Sequence, residues 1–172
     1  MTGKDRIRTA LEAATSYYAA NPADARSTDS VATASLRDGL VVEVEAPTGE
    51  RITTDMVASV GGTGSAPSPG WLLRAAEASC VATLIAMRAA TLGITLDTLE
   101  VAADSESDDR GMLGLDDSVP AGPLTGRVRV RITADGVDPA TLDEMARWGV
   151  EHCPVCNALE RPVPITVEVA TA

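Results

Sequence analysis

Phenylalanine is absent from this chain, and other aromatics are nearly so, with two Trp and two Tyr in 172 residues. A core without Phe has to be filled by Val, Leu, Ile and Ala. Ala-rich helices can approach each other closely, and alternating Val/Ile-rich segments suit strands. Positive charge is also scarce: 14 Lys and Arg stand against 25 Asp and Glu, for a net charge of -11. Phosphate binding needs clustered basic side chains, so nucleic acid is excluded as a partner, and an anionic membrane surface with it. No unbroken apolar run reaches the roughly 18 residues that a membrane span needs. The first residues carry Lys4, Asp5, Arg6 and Arg8 where a signal peptide has its apolar segment. These absences together predict a cytoplasmic protein.

What is present describes one domain with a short extension. The chain is 45% apolar, which excludes wholesale disorder. Residues 4–20 read as an amphipathic helix with Ile7, Leu11, Ala14 and Tyr18 in a stripe, ended by Asn21-Pro22. The polar stretch 23–30 makes that helix an appendage to the core. Three short strands follow, near 31–36, 40–45 and 51–56, with turn signals at Asp38-Gly39 and Pro47-Thr48-Gly49. Residues 61–70 hold four Gly and two Pro and read as a loop close to a site. Residues 71–92 are free of Gly and Pro, small and apolar around most of the circumference, and predict a long helix buried on most sides. Strands are expected at 95–103 and 124–133, joined by an acidic tip. In the second of these, Arg127, Arg129 and Arg131 face away from Val128, Val130 and Ile132. Asp138-Pro139 opens a helix. A short helix within 151–159 and a last strand at 164–170 complete an α+β pattern with antiparallel strands packed on helices.

The chemistry rests on three cysteines, an odd number unlike the even framework of a stapled secreted domain. Cys80 lies in the middle of the long helix, where an isolated Cys most often simply fills a core. Cys153-Pro-Val-Cys156 sets Cys153 at a helix N-cap and Pro154 at the first helical position, where free amides favour a thiolate. A redox pair of the CxxC type would need a preceding βαβ unit, which is lacking. Zinc would need Cys80, His152, Cys153 and Cys156 together, in a sterically awkward cluster. The remaining reading pairs one of these two thiols with Cys80 and leaves the other incidental. No GxSxG and no phosphate loop occur.

A Gly-rich loop ending at Pro69, a long helix with mid-helix Cys80, and Cys-Pro-Val-x-Asn-Ala-Leu at 153–159 before the final strand resemble the OsmC/Ohr family of thiol-dependent peroxidases. The resemblance spans about residues 30–170 and divides the chain into an extension at 1–28 and an OsmC-like domain at 29–172. It implies an OsmC-like fold of antiparallel sheets around long central helices in an intertwined homodimer, with sites at the subunit interface. It also implies that Cys80 is the peroxidatic thiol, oxidised by an organic hydroperoxide, and Cys153 the resolving one. A dithiol reductant is then required, and no cofactor or metal. The family's Arg corresponds to Arg37, with Arg51 as the other candidate. The family's Glu, ten residues before Cys80, is replaced by Gly70. Glu77, one turn before Cys80, is set to contact it or an arginine. Cys156 stands where the family commonly has Ser and reads as a neutral swap rather than a spare resolving thiol. Two other functions compete: a non-enzymatic relative holding a small apolar ligand at the dimer interface, and a zinc-stabilised interaction domain.

Overall fold

The Ala-rich segment forms the longest element, and the rest of the protomer is arranged along it. In this computed structural model residues 2–171 are described. Met1 and Ala172, the outer ends of the two expected units, lie outside the described residues. The chain runs α1 (Gly3–Ala20), β1 (Thr33–Asp38), β2 (Val41–Glu45), β3 (Arg51–Thr54), α2 (Pro69–Thr91), β4 (Thr98–Glu106), α3 (Asp109–Met112), β5 (Thr125–Thr133), α4 (Pro139–Glu151) and α5 (Pro154–Glu160). It is an α+β fold with antiparallel strands, as the pattern predicts.

Helix α2 starts at Ser68, whose hydroxyl accepts the Trp71 amide at 3.2 Å, with Pro69 at the first helical position. It stops where Gly93 takes φ +74° and the Ile94 amide closes on the Ala89 carbonyl at 2.9 Å. By length and composition alone, with mean hydropathy 1.3 over its best window, this helix is apolar enough to cross a membrane. In the protomer one face is buried, through Glu77, Val81, Ile85, Ala89 and Ala90. Ala76, Ser79 and Thr83, which share another face, are exposed. The expectation of burial on most sides is therefore not met within one protomer.

The strands make two separate sheets. β1, β2 and β3 form an antiparallel meander, pairing Ala34 with Val44 and Val44 with Ile52. β1 is exposed along its whole length. β4 and β5 form a two-stranded ribbon with Val101 opposite Val130 and Leu99 opposite Ile132. That face packs on the buried cluster of α2 and α5. On the other face Arg127 pairs with Asp104 at 3.0 Å and Arg131 with Glu100 at 3.3 Å, as the alternation predicts.

One further expectation is corrected. The final strand at 164–170 does not form: residues 162–171 have no regular structure, and Ile165, Val167 and Val169 are 86%, 78% and 79% exposed. Alternation makes a segment fit for pairing, but a strand needs an edge to pair with, and the protomer brings none to it. The N-terminal helix buries none of its residues and stays outside the core. It is capped by Thr2 and Asp5 and lies along α2, and Lys4 Nζ donates to the Gly93 carbonyl at 2.8 Å and to Thr95 Oγ1 at 2.7 Å.

Helix α4 is capped by Asp138, which accepts from the Ala140 and Thr141 amides at 2.9 and 3.3 Å. It crosses α2 at a point where only glycine fits. A Cβ on Gly149 would stand 2.5 Å from Ile85 Cγ1, and Ile85 is wholly buried. Overpacking of this kind costs about 1–3 kcal/mol. Gly149→Ala is expected to lower stability by about that amount, measured by urea unfolding. An unchanged midpoint would mean that the two helices do not meet this closely.

Candidate active site

The α4–α5 junction carries two of the three thiols. His152 ends α4, with its amide on the Trp148 carbonyl at 3.0 Å, and the Cys153 amide reaches the Val150 carbonyl at 3.1 Å. Cys153 is the N-cap of α5, with extended backbone (φ -74°, ψ 115°) and Pro154 next, as the sequence predicts. In place of the usual hydroxyl or carboxylate, its sulfur accepts the Cys156 amide at 3.4 Å. Cys153 is fully buried and Cys156 is 5% exposed.

The third thiol comes from α2. Cys80 sits between the buried stripe and the exposed face of that helix, is half-buried, and packs against Val81, Ile85, Cys153 and Cys156. All three sulfurs are free thiols in one cluster. Burial opposes ionisation at each. At Cys153 it is outweighed by the Cys156 and Val155 amides and the neighbouring thiols, and the pKa falls below the ordinary thiol value. At Cys80 burial and the adjacent Cys153 push it up. Cys156 is pushed up to about 12 by burial, by Cys153 and by the carboxylates of Glu77 and Glu160. The accessible thiol and the acidic thiol are thus different residues in contact.

Glu77 does not contact Cys80 as its hydrogen-bonding partner. Buried on α2, it accepts from Cys156 Sγ at 3.9 Å. Beside it a cavity of about 660 Å³ opens between α2, the β4–β5 tip and α5, lined among others by Leu73, Arg74, Glu77, Leu124, Val128 and Cys156. Arg74 reaches across to Ser105 Oγ at 3.4 Å.

Arg37 lies elsewhere in the protomer. It stands on the exposed β1, and its Nε donates to Glu43 Oε2 at 2.7 Å. Arg51, on β3, pairs with Glu45 at 3.0 Å. The protomer brings Cys80, Cys153 and Cys156 together and leaves both candidate arginines on the separate meander. Gly70, in the first turn of α2, has only Arg74 Nη1 and Ser68 Oγ near where a Cβ would stand, at 3.8 and 4.0 Å.

Three supports escaped the sequence reading. Asp55, 1% exposed, holds the Gly-rich loop by accepting from the amides of Met56, Thr63 and Ser65 at 2.7, 3.0 and 3.0 Å and from the Thr63 and Ser65 hydroxyls. Those donors depress its pKa strongly. Arg88 stacks over Trp148, 5.3 Å from the ring centroid, and Trp148 stacks on His152 at 4.1 Å. The one His therefore braces the junction, its Nδ1 lying 2.9 Å from the Trp148 carbonyl. Only the i, i+4 spacing of Trp148 and His152 hinted at this in sequence.

This geometry defines a class: an α+β protein with a half-buried mid-helix thiol set against a helix-capping thiol. The chain belongs to the OsmC-like protein family, whose model matches residues 62–168. No curated protein matches it. Among solved structures it is similar to an OsmC-like protein from Mycoplasma pneumoniae, with 17% identity, 78% of this chain and 89% of that one covered, and TM-score 0.66. It is also similar to an organic hydroperoxide resistance protein OsmC from Legionella pneumophila (21% identity, 78% and 90% covered, TM-score 0.58). A third is the organic hydroperoxide resistance protein OhrB of Bacillus subtilis (19% identity, 78% and 93% covered, TM-score 0.52).

In the native protein at neutral pH, iodoacetamide is expected to modify Cys80 first, because it alone of the three is open to solvent. Cys156 should react last, being buried and held protonated. Mass mapping of a time course reads the order, and early labelling of Cys156 would contradict this site.

Proposed function

We propose that the protein is a thiol-dependent peroxidase acting on organic hydroperoxides. The observation that carries this reading is the contact between the half-exposed Cys80 and the buried Cys153, whose pKa is lowered. Cys153 as thiolate accepts the Cys80 proton while the Cys80 sulfur attacks the distal peroxide oxygen. The O–O bond breaks, the alkoxide takes that proton back from Cys153 and leaves as the alcohol, and Cys80 becomes a sulfenic acid. The Cys153 thiolate then attacks the Cys80 sulfur and forms the Cys80–Cys153 disulfide, and the sulfenic oxygen leaves as hydroxide, which takes a proton from solvent to become water. A dithiol reductant returns both thiols. Names of organic hydroperoxide resistance proteins among the similar structures support the same substrate class.

The working unit is an intertwined homodimer in the cytoplasm. The small-residue face of α2 at Ala76, Ser79 and Thr83 suits close pairing with a second α2, and residues 164–170 supply an alternating segment fit to pair with an edge of a second copy. The exposed meander then delivers Arg37 of the partner subunit as the cation that polarises the peroxide. Residues 29–172 form the peroxidase unit and 1–28 cap it along α2. Gly70 leaves out the family's Glu, so the Cys153 thiolate takes a larger share of activating Cys80.

The non-enzymatic alternative, a protein that holds a small apolar ligand, draws on the raised Cys80 pKa and the partly apolar cavity. Stopped-flow oxidation with cumene hydroperoxide separates the two. Cys80→Ser is expected to abolish the fast phase, and Arg37→Met to slow it on the order of 10²-fold, as loss of one charge-stabilising donor does. A Cys80→Ser protein that reacts as fast as the wild type would end the peroxidase reading.

A further inference from the structure

The peroxidase cycle uses two thiols and leaves a buried pair, Cys156 and Glu77, unemployed. We infer that Cys156 is a third redox thiol, which takes the disulfide away from Cys80 by attacking Cys153 while Glu77 accepts its proton. The inference rests on the peroxidase reading for the step that loads the first disulfide.

Three observations carry it. Cys153 and Cys156 occupy the N-cap and third position of one helical turn, with the Cys156 amide 3.4 Å from the Cys153 sulfur. That spacing brings the Cα atoms within the range that a disulfide spans. Cys156 Sγ lies 3.9 Å from Glu77 Oε1, which gives its proton a destination inside the protein. Cys156 also lines the cavity beside α5, whereas Cys153 is sealed. A disulfide moved onto Cys156 therefore borders that cavity, and Cys80 is freed for another hydroperoxide.

The exchange balances. The Cys156 sulfur attacks Cys153, the Cys80–Cys153 bond breaks, and Cys153–Cys156 forms. The electron pair leaves on Cys80, Glu77 takes the Cys156 proton, and the solvent-accessible Cys80 thiolate takes one from water. No further oxidant is consumed. The order of events also follows from the surroundings of Cys156. The groups that act on it are Cys153, Glu77 and Glu160. While Cys153 is reduced it helps keep Cys156 protonated, so the first disulfide is made by Cys153. Once Cys153 is bound in that disulfide its charge is gone, and Cys156 loses one of the influences that hold its proton.

The test is time-resolved thiol trapping of the full chain after one equivalent of cumene hydroperoxide, read by peptide mapping. The expected course is Cys80–Cys153 first, then Cys153–Cys156 with Cys80 again open to alkylation. In Cys156→Ser the first disulfide should last at least about tenfold longer. In Glu77→Gln the first disulfide forms at the wild-type rate, and the conversion slows on the order of 10²-fold, as removal of a general base does. Its rate should then climb steeply with pH where the wild type is nearly flat. A wild-type Cys80–Cys153 bond as long-lived as in Cys156→Ser overturns the inference. An unchanged conversion in Glu77→Gln overturns the role of Glu77. If the peroxide oxidises none of the thiols, the peroxidase reading has failed, and diamide, which oxidises thiols without a peroxide step, decides the exchange separately. With diamide, Cys153–Cys156 with Cys80 free supports the exchange, and Cys80–Cys153 with Cys156 free overturns it.

Discussion

The close crossing of α2 and α4 is the constraint on which the site depends. Gly149 lets Ile85 pack against the α4 backbone with no Cβ between them. That fixes where α4 ends, and the chain then turns within two residues into α5. The turn carries Cys153 to the flank of α2 that bears Cys80. Arg88, Trp148 and His152 stack across the same junction and hold its last turn in register with α2. A looser crossing would separate Cys80 from the turn that carries Cys153 and Cys156.

Within that frame the electrostatics divide the labour among chemically identical groups. Cys153 gains amide donors at a helix start, Cys80 has access to solvent, and Cys156 has a carboxylate beside it. Their thiols begin with the same intrinsic acidity and end with it lowered at Cys153 and raised at the other two. The protomer supplies these differences without a cation. The two arginines that the family resemblance singles out are occupied by Glu43 and Glu45 on a sheet that packs chiefly on itself.

The protomer also looks unfinished in a consistent way. The exposed β1, the unpaired segment 164–170 and the open small-residue face of α2 are apolar or pairing-competent surfaces left uncovered, a pattern suited to a chain that completes its core with a second copy.

Local chemistry made most elements legible in the sequence. The helices announce themselves through Ser68-Pro69, Asp138-Pro139 and Cys153-Pro154, and the strands through their alternation, because capping and side-chain period act within a few residues. The position of Cys153 at an N-cap was readable for the same reason. The partnership of Glu77 with Cys156 was not, since it joins residues 79 positions apart and depends on the helix crossing at Gly149. The Asp55 clasp on the Gly-rich loop was likewise hidden, since aspartate before a loop is common and only the folded path brings five donors to it. The failed strand at 164–170 marks the same boundary from the other side. Alternating residues made it fit to pair, but pairing is a property of two edges. Sequence alone determined the elements, their caps and the family motifs. Tertiary structure decided which thiol is accessible and which has a proton acceptor, because those properties arise from contacts between distant segments.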